Sequence, residues 1–202
     1  NVLRSHSLEP RNRILLVGPP GNGKTTFAEA IAESLAVPFF VVRYESVIGS
    51  FLGETAARLK RVFEYARTVP SVLFFDEFDT VGKERGDTHE TGEIKRVVSS
   101  LLMQIDELPS YVVVVAATNH AELLDRAVWR RFQLRLDLPS PSSKQLSDFI
   151  TSLSTRNEVK LGVPAQQIAK AIGQVSYGEA EEFFLDIARR QILAMGEQSP
   201  ER

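Results

Sequence analysis

Few folds can accommodate the stretch RILLVGPPGNGKT, residues 13–25. The apolar run RILLV reads as a buried strand, and helical spacing takes over across 24–36. Between them Gly18-Pro19-Pro20-Gly21-Asn22-Gly23-Lys24-Thr25 fits G-x-x-x-x-G-K-S/T in the strand–loop–helix setting that gives this pattern its meaning. Glycines let backbone N–H groups turn inward around phosphate oxygens, and the helix that follows presents its positive N-terminal end. Lys24 is expected to reach the outer phosphates of a bound nucleotide and the Thr25 hydroxyl to ligate Mg²⁺, with Pro20, Gly21, Asn22, Gly23 and Thr26 completing the nucleotide-binding segment.

The rest of the chain repeats the alternation. PFFVV (38–42), SVLFF (71–75) and YVVVVAA (111–117) read as further buried strands, and FQLRLDL (132–138) alternates as a strand with one wetter face. Helical spacing fills 54–67, 91–106 and 121–129. Strands alternating with helices predict an α/β fold, a mostly parallel five-stranded sheet covered on both sides. LPSPSS (138–143) interrupts this pattern, and 143–155, 165–174 and 178–195 read as helices. The expected organisation is therefore a large α/β domain over 1–139 and a small all-helical domain over 140–202. Phe183 and Phe184 are assigned to the core of the latter.

Composition removes several classes of function. The 202 residues carry a formal net charge of -2, which gives no overall electrostatic reason to bind nucleic acid. Cysteine is absent, excluding a disulfide framework and thiolate chemistry. No apolar run approaches the roughly 20 residues that span a bilayer, and the polar start NVLRSHSLEPRNR lacks the apolar core of a secretory signal. A cytoplasmic location is expected.

Two acids follow the apolar run VLFF, at the carboxyl end of a strand, where open α/β sheets bind ligands. Asp76 is placed to hold Mg²⁺ and its waters, and Glu77 to orient and polarise an attacking water. Asp79 reads either as a helix cap or as an interface residue. Asn119, at the end of YVVVVAATN, is a polar amide able to bond a γ-phosphate or that same water. His89, Glu90 and Glu93 lack the spacing of a metal site and read as a solvated helix start.

Taken in order, GPPGNGKT, LFFDEFD, AATN and LLDRAVWRRF resemble the AAA+ ATPases, specifically the AAA subgroup that remodels proteins. The likeness spans nearly all of 13–190. It implies a P-loop NTPase core with a helical lid, in which Gly18–Thr25 is the Walker A loop, Asp76 and Glu77 the Walker B pair and Asn119 the sensor-1 residue. It also implies a homo-oligomeric ring, usually a hexamer, with ATP at each subunit boundary. Arg130 and Arg131 then become candidate arginine fingers acting on a neighbouring subunit's ATP. Many members space these arginines three apart, whereas here they are adjacent, and either could be the one that touches the γ-phosphate. Gly178, in SYGEAE, falls in the sensor-2 region, expected near adenine or ribose. Only 17 residues precede Gly18, where members of the family usually have more chain, so the resemblance implies an ATPase module of a longer protein.

YESVIGSFLGET puts Phe51 and Leu52 between two glycines, at a loop edge. By itself this is either a plug tucked onto the core or a gripping surface. The resemblance favours the second, because Phe51-Leu52-Gly53 matches the family's aromatic–hydrophobic–glycine pore loop, before a helix expected from about Thr55. The polar stretch 82–96 resembles the second pore-loop region, where Glu93 and Arg96 read as a subunit bridge or as a surface pair. The reading this supports is a ring-forming ATPase that unfolds or disassembles protein substrates. The alternatives are a nucleic-acid motor or loader on the same core, a small-molecule P-loop kinase, and a nucleotide-gated scaffold.

Overall fold

Branched and aromatic residues make β1 (Arg13–Val17), β2 (Phe39–Arg43), β3 (Ser71–Asp76), β4 (Val112–Thr118) and β5 (Leu134–Asp137). Successive side chains of a strand point to opposite faces, and β1 to β4 are apolar on both. Leu15, Leu73, Phe75, Val114 and Ala116 enter one core, while Ile14, Leu16, Val72, Phe74, Val115 and Ala117 enter the other. A sheet buried on both faces needs helices on both. The computed structural model, which describes residues 5–6, 10–43, 52–79 and 91–197, supplies them. Ala28 and Ala32 of α1 (Lys24–Leu35) cover the second face. Leu59 and Phe63 of α2 (Leu52–Ala66), Leu101 and Ile105 of α3 (Thr91–Asp106) and Val128 of α4 (Arg126–Arg131) cover the first.

All pairings are parallel, in the order β2-β3-β4-β1-β5. Two strands therefore separate β1 from β2, its successor in sequence. A row of rings braces the first core: Phe63 to Phe75 at 6.1 Å, Phe75 to Phe78 at 5.9 Å and Phe78 to Phe132 at 5.7 Å between centroids. Each such side chain contributes about 1.5–3 kcal/mol by leaving water. Among the described residues β5 pairs only with β1; Arg135 and Asp137 give the one wetter face its alternating sequence predicts, but Leu136 on the other face is exposed as well.

Beyond shifts of a residue or two at element ends, two helices and one core residue differ from expectation. α2 starts at Leu52 rather than near Thr55, which puts Leu52 and Gly53 in its first turn. The helix expected over 121–129 is a 3-10 turn, Ala121–Leu123, followed by α4. The break between them is local chemistry: the Asp125 carboxylate accepts the Ala127 N–H at 3.1 Å and so opens a new helix as its N-cap. Phe183 is not core; it is 44% exposed, because only its neighbour Phe184 lies on the inward stripe with Ala180 and Ala188.

The chain divides into two units, one comprising residues up to Gly18 with Lys24–Leu138, the other Pro19–Gly23 with the residues from Pro139 on. The second unit holds α5 (Ser143–Arg156), α6 (Ala165–Ile172) and α7 (Tyr177–Glu197), packed through Leu146, Ile150, Leu153, Ala169, Ala180 and Phe184. Ser142 and Gln145 form a capping box at the start of α5. No helix among the described residues is long and apolar enough to cross a membrane.

Candidate functional site

Because the strands are parallel, β1, β3 and β4 deliver their carboxyl ends to one edge of the sheet. Val17 is in register with Thr118, and Phe75 with Ala116. Gly18, Asp76 and Asn119 follow at that edge. Gly18 must be glycine: a Cβ there would stand 2.2 Å from the Leu138 carbonyl oxygen, while its N–H donates to the Thr118 carbonyl at 3.2 Å. Lys24 opens α1 and points back, donating to the Gly18 carbonyl at 2.7 Å and to Asn119 Oδ1 at 2.6 Å. Burial pushes its pKa down, and the nearby Asp76 and Asp79 carboxylates push it up, with burial the larger effect. Thr25 and Thr26 follow in the first turn with exposed side chains.

The acidic turn is held in a disfavoured shape. Glu77 has φ of +50°, a left-handed conformation that side chains resist. Its N–H donates to Asp76 Oδ1 at 2.9 Å. The turn sends Phe78 into the core and leaves Glu77 exposed beside the half-buried Asp76. Asp79, read from the sequence as a cap or an interface residue, is buried and accepts a hydrogen bond from the Thr118 hydroxyl at 3.0 Å. Thr118 escaped the sequence reading, although a threonine ending a strand just before Asn119 was the available signal.

Within the second unit, the loop segment Pro19–Gly23 meets the start of α7. Gly178 N–H donates to the Gly21 carbonyl at 2.9 Å, and a Cβ on Gly21, at φ of +74°, would come within 2.7 Å of Ser176 Oγ. Ser176 and Glu179 cap α7 reciprocally, Ser176 N–H donating to Glu179 Oε2 at 2.7 Å and Glu179 N–H to Ser176 Oγ at 3.2 Å. These bonds from Ser176 lower the Glu179 pKa. Asn22 is buried with neither atom of its amide hydrogen-bonded. Unmet polar groups of this kind cost about 1–3 kcal/mol. Their position inside a glycine-bearing loop, in the sequence that runs directly into a helix N-terminus, fits a polyanionic ligand.

The two arginines part company. Arg130 is exposed at the end of α4. Arg131 Nε donates to Asp106 Oδ2 at 2.7 Å, and its guanidinium also donates to the Ala127 carbonyl at 3.0 Å. Asp106 is shared with Arg13, whose guanidinium reaches Asp106 Oδ1 at 3.1 Å and the Asp106 carbonyl at 3.0 Å. Arg13 begins β1 and Gly18 follows its end, so roughly 16 Å of strand separates the clamp from the phosphate-binding edge. Phe51 lies outside the described residues, as do His89 and Glu90; Glu93 and Arg96 lie in α3 and Leu52 and Gly53 in α2, as backbone.

A parallel sheet in this strand order, with a lysine-bearing glycine loop after β1, paired acids at the end of β3 and a polar residue after β4, defines a P-loop nucleotide-binding protein. Residues 14–140 match the family model described as ATPase family associated with various cellular activities (AAA), and the chain belongs to that family. It is 39% identical over 200 residues to an uncharacterised AAA family ATPase, y4kL, of Sinorhizobium fredii, covering 99% of this chain and 60% of that protein. It is 38% identical over 176 residues to the peroxisomal ATPase PEX6 of Kluyveromyces lactis, covering 83% of this chain and 18% of that protein. A putative 26S proteasome regulatory subunit homolog of Methanothermobacter thermautotrophicus is 31% identical over 193 residues, 94% of this chain and 52% of its own. The chain thus spans from under a fifth to three fifths of these relatives' lengths.

Proposed function

We propose that this chain is a Mg²⁺-dependent ATPase module, with a large domain over 1–139 and a helical lid over 140–202, that acts in a cytoplasmic homo-oligomeric ring, a hexamer, to remodel protein substrates. The observation that carries the catalytic part is the meeting of Lys24 and Asn119 at 2.6 Å, at the sheet edge where Asp76 ends β3 and Glu77 follows it.

In this reading the backbone of Pro20–Gly23, with Asn22, Thr26 and Gly178, holds the nucleotide, and Lys24 offsets charge on its outer phosphates. Thr25 and Asp76 would hold Mg²⁺, which supplies charge neutralisation between the phosphates. Glu77 orients a water and accepts its proton as the water oxygen bonds to the γ-phosphorus and the bond to the β–γ bridging oxygen breaks, giving ADP and phosphate. Asn119 holds the same water or a γ-oxygen.

Assembly follows from the arginines. They stand about a strand's length from their own chain's phosphate-binding edge, which supports an arginine finger acting on a second copy, with Arg130 the exposed one of the pair and Arg131 held by Asp106; such a finger accelerates hydrolysis by about 10³–10⁵. Names among the relatives that concern peroxisomes and a proteasome regulatory subunit support a protein substrate over nucleic acid. Phe51, Leu52 and Gly53 are the residues proposed to grip it. The test pairs steady-state ATPase assays with unfolding of a tagged protein client by the parent protein. Phe51→Ala should hydrolyse ATP normally and fail to unfold the client; unfolding at the wild-type rate would refute the grip.

A further inference from the structure

Three hydrogen bonds converge on Thr118, which is 1% exposed. Its carbonyl accepts the Gly18 N–H at 3.2 Å, its hydroxyl donates to Asp79 Oδ1 at 3.0 Å, and the same hydroxyl accepts the His120 N–H at 3.0 Å. Alongside, the Phe78 N–H donates to the Ala117 carbonyl at 2.8 Å. The residues on either side of this lattice are the ones with work to do. Glu77 precedes Phe78, and Asn119 lies between Thr118 and His120.

Neither flank is held in place by its own preferences. Glu77 sits in a left-handed conformation, which costs a side-chain-bearing residue about 1–2 kcal/mol and persists only where the surroundings enforce it. Asn119 follows the last residue of β4, past the ladder that fixes the strand. A buried carboxylate is itself expensive unless bonded, so Asp79 is an odd filler for a turn unless its bond matters. A hydroxyl is the one small group that can donate to Asp79 and accept from His120 at once.

We propose that Asp79 and Thr118 are positioning residues: their bond locks the turn after β3 to the turn after β4, and so fixes the separation between the Glu77 carboxylate and the Asn119 amide. The inference rests on the hydrolytic reading for its activity readout. The pair touches no substrate and acts through the two residues it places. A misplacement of about 1 Å in such a group costs on the order of a hundredfold in rate, while nucleotide affinity, set by the loop and Lys24, is spared.

The experiment uses the full chain with Thr118→Val, which keeps the shape and removes the hydroxyl, and Thr118→Ser, which restores it. In Thr118→Val, turnover at saturating ATP should fall about 30- to 100-fold with nucleotide affinity within about threefold of wild type. Amide hydrogen exchange at Phe78, whose own bond the substitution leaves intact, should quicken about tenfold as the turn loosens. Thr118→Ser should recover both. Wild-type turnover together with unchanged Phe78 exchange in Thr118→Val overturns the proposal. So does a Thr118→Ser as impaired as Thr118→Val, or a parallel loss of affinity, turnover and melting temperature. Absence of turnover in the wild type itself defeats the hydrolytic reading instead, and Phe78 exchange then decides the positioning alone.

Discussion

The Lys24 ammonium donates to Asn119 Oδ1 at 2.6 Å and to the Gly18 carbonyl at 2.7 Å, so one buried cation ties the residue after β4 to the first residue of the glycine loop. Both of these acceptors are neutral. The ammonium's affinity for its surroundings is therefore set by a balance, with burial disfavouring the charge more than Asp76 and Asp79 favour it.

That balance gives a prediction with a sign. The folded-state pKa of Lys24 lies below its ordinary 10.5. Between the two values the folded chain binds fewer protons than the unfolded one, so this group's contribution to stability rises with pH through that window. Nucleotide affinity should move the other way, falling as the ammonium is lost. Lys24→Met should lower nucleotide affinity by on the order of a hundredfold or more, since a charge-assisted phosphate contact goes, and should flatten the alkaline limb. Isothermal titration with ATP from neutral to alkaline pH measures both.

Glu77→Gln keeps the size of the side chain and removes its capacity to take a proton. It should bind ATP like wild type and lose about 10²–10⁴ in turnover, the range that a general base contributes. Single-turnover hydrolysis beside a fluorescent-nucleotide titration separates the two effects.

The two arginines should divide cleanly. Arg131→Ala and Asp106→Ala each break the clamp and should destabilise by about 1 kcal/mol, a modest figure because the groups are partly exposed. The double variant should be little worse than either single one, as expected for a shared interaction. Arg130→Ala should leave the denaturant midpoint where it was and remove most of the turnover of the assembled protein. Urea unfolding and ATPase assays on the same four proteins check this.

Asn22→Ala should raise the melting temperature without nucleotide by a few degrees, about 1 kcal/mol, because it deletes two unmet buried groups. It should also weaken ATP binding. A thermal melt with and without ATP reads both, and the stabilisation by ATP should shrink.

The ATPase rate should rise faster than linearly with protein concentration if each site is completed by a second copy. Specific activity that stays flat across a dilution series would contradict that completion.

The sheet was legible in the sequence because four of its strands are apolar on both faces and the glycine loop fixes where the first one ends. The site's floor was legible for a related reason: chemistry at strand ends leaves acids and amides abruptly after apolar runs, as at Asp76 and Asn119. What escaped were partnerships between distant segments. Nothing near Asp79 announces Thr118, 39 positions on, and nothing near Arg131 announces Asp106. The split of 121–129 turned on a local competitor, Asp125, whose capping bond outweighed the helical pattern around it. Phe183 differs from expectation because adjacent helical residues point about 100° apart, and the pattern does not say whether the inward stripe takes both, as it does Leu101 and Leu102 of α3, or one, as it does Phe184.

The left-handed backbone at Glu77 sets the fold and the chemistry at odds on a single position. Glycine would relax it by about 1 kcal/mol, yet glycine has no carboxylate. Laboratory selection for thermal tolerance alone should favour Glu77→Gly, enriching hardier and inert molecules, whereas selection for turnover should hold the acid and accept the lower melting point.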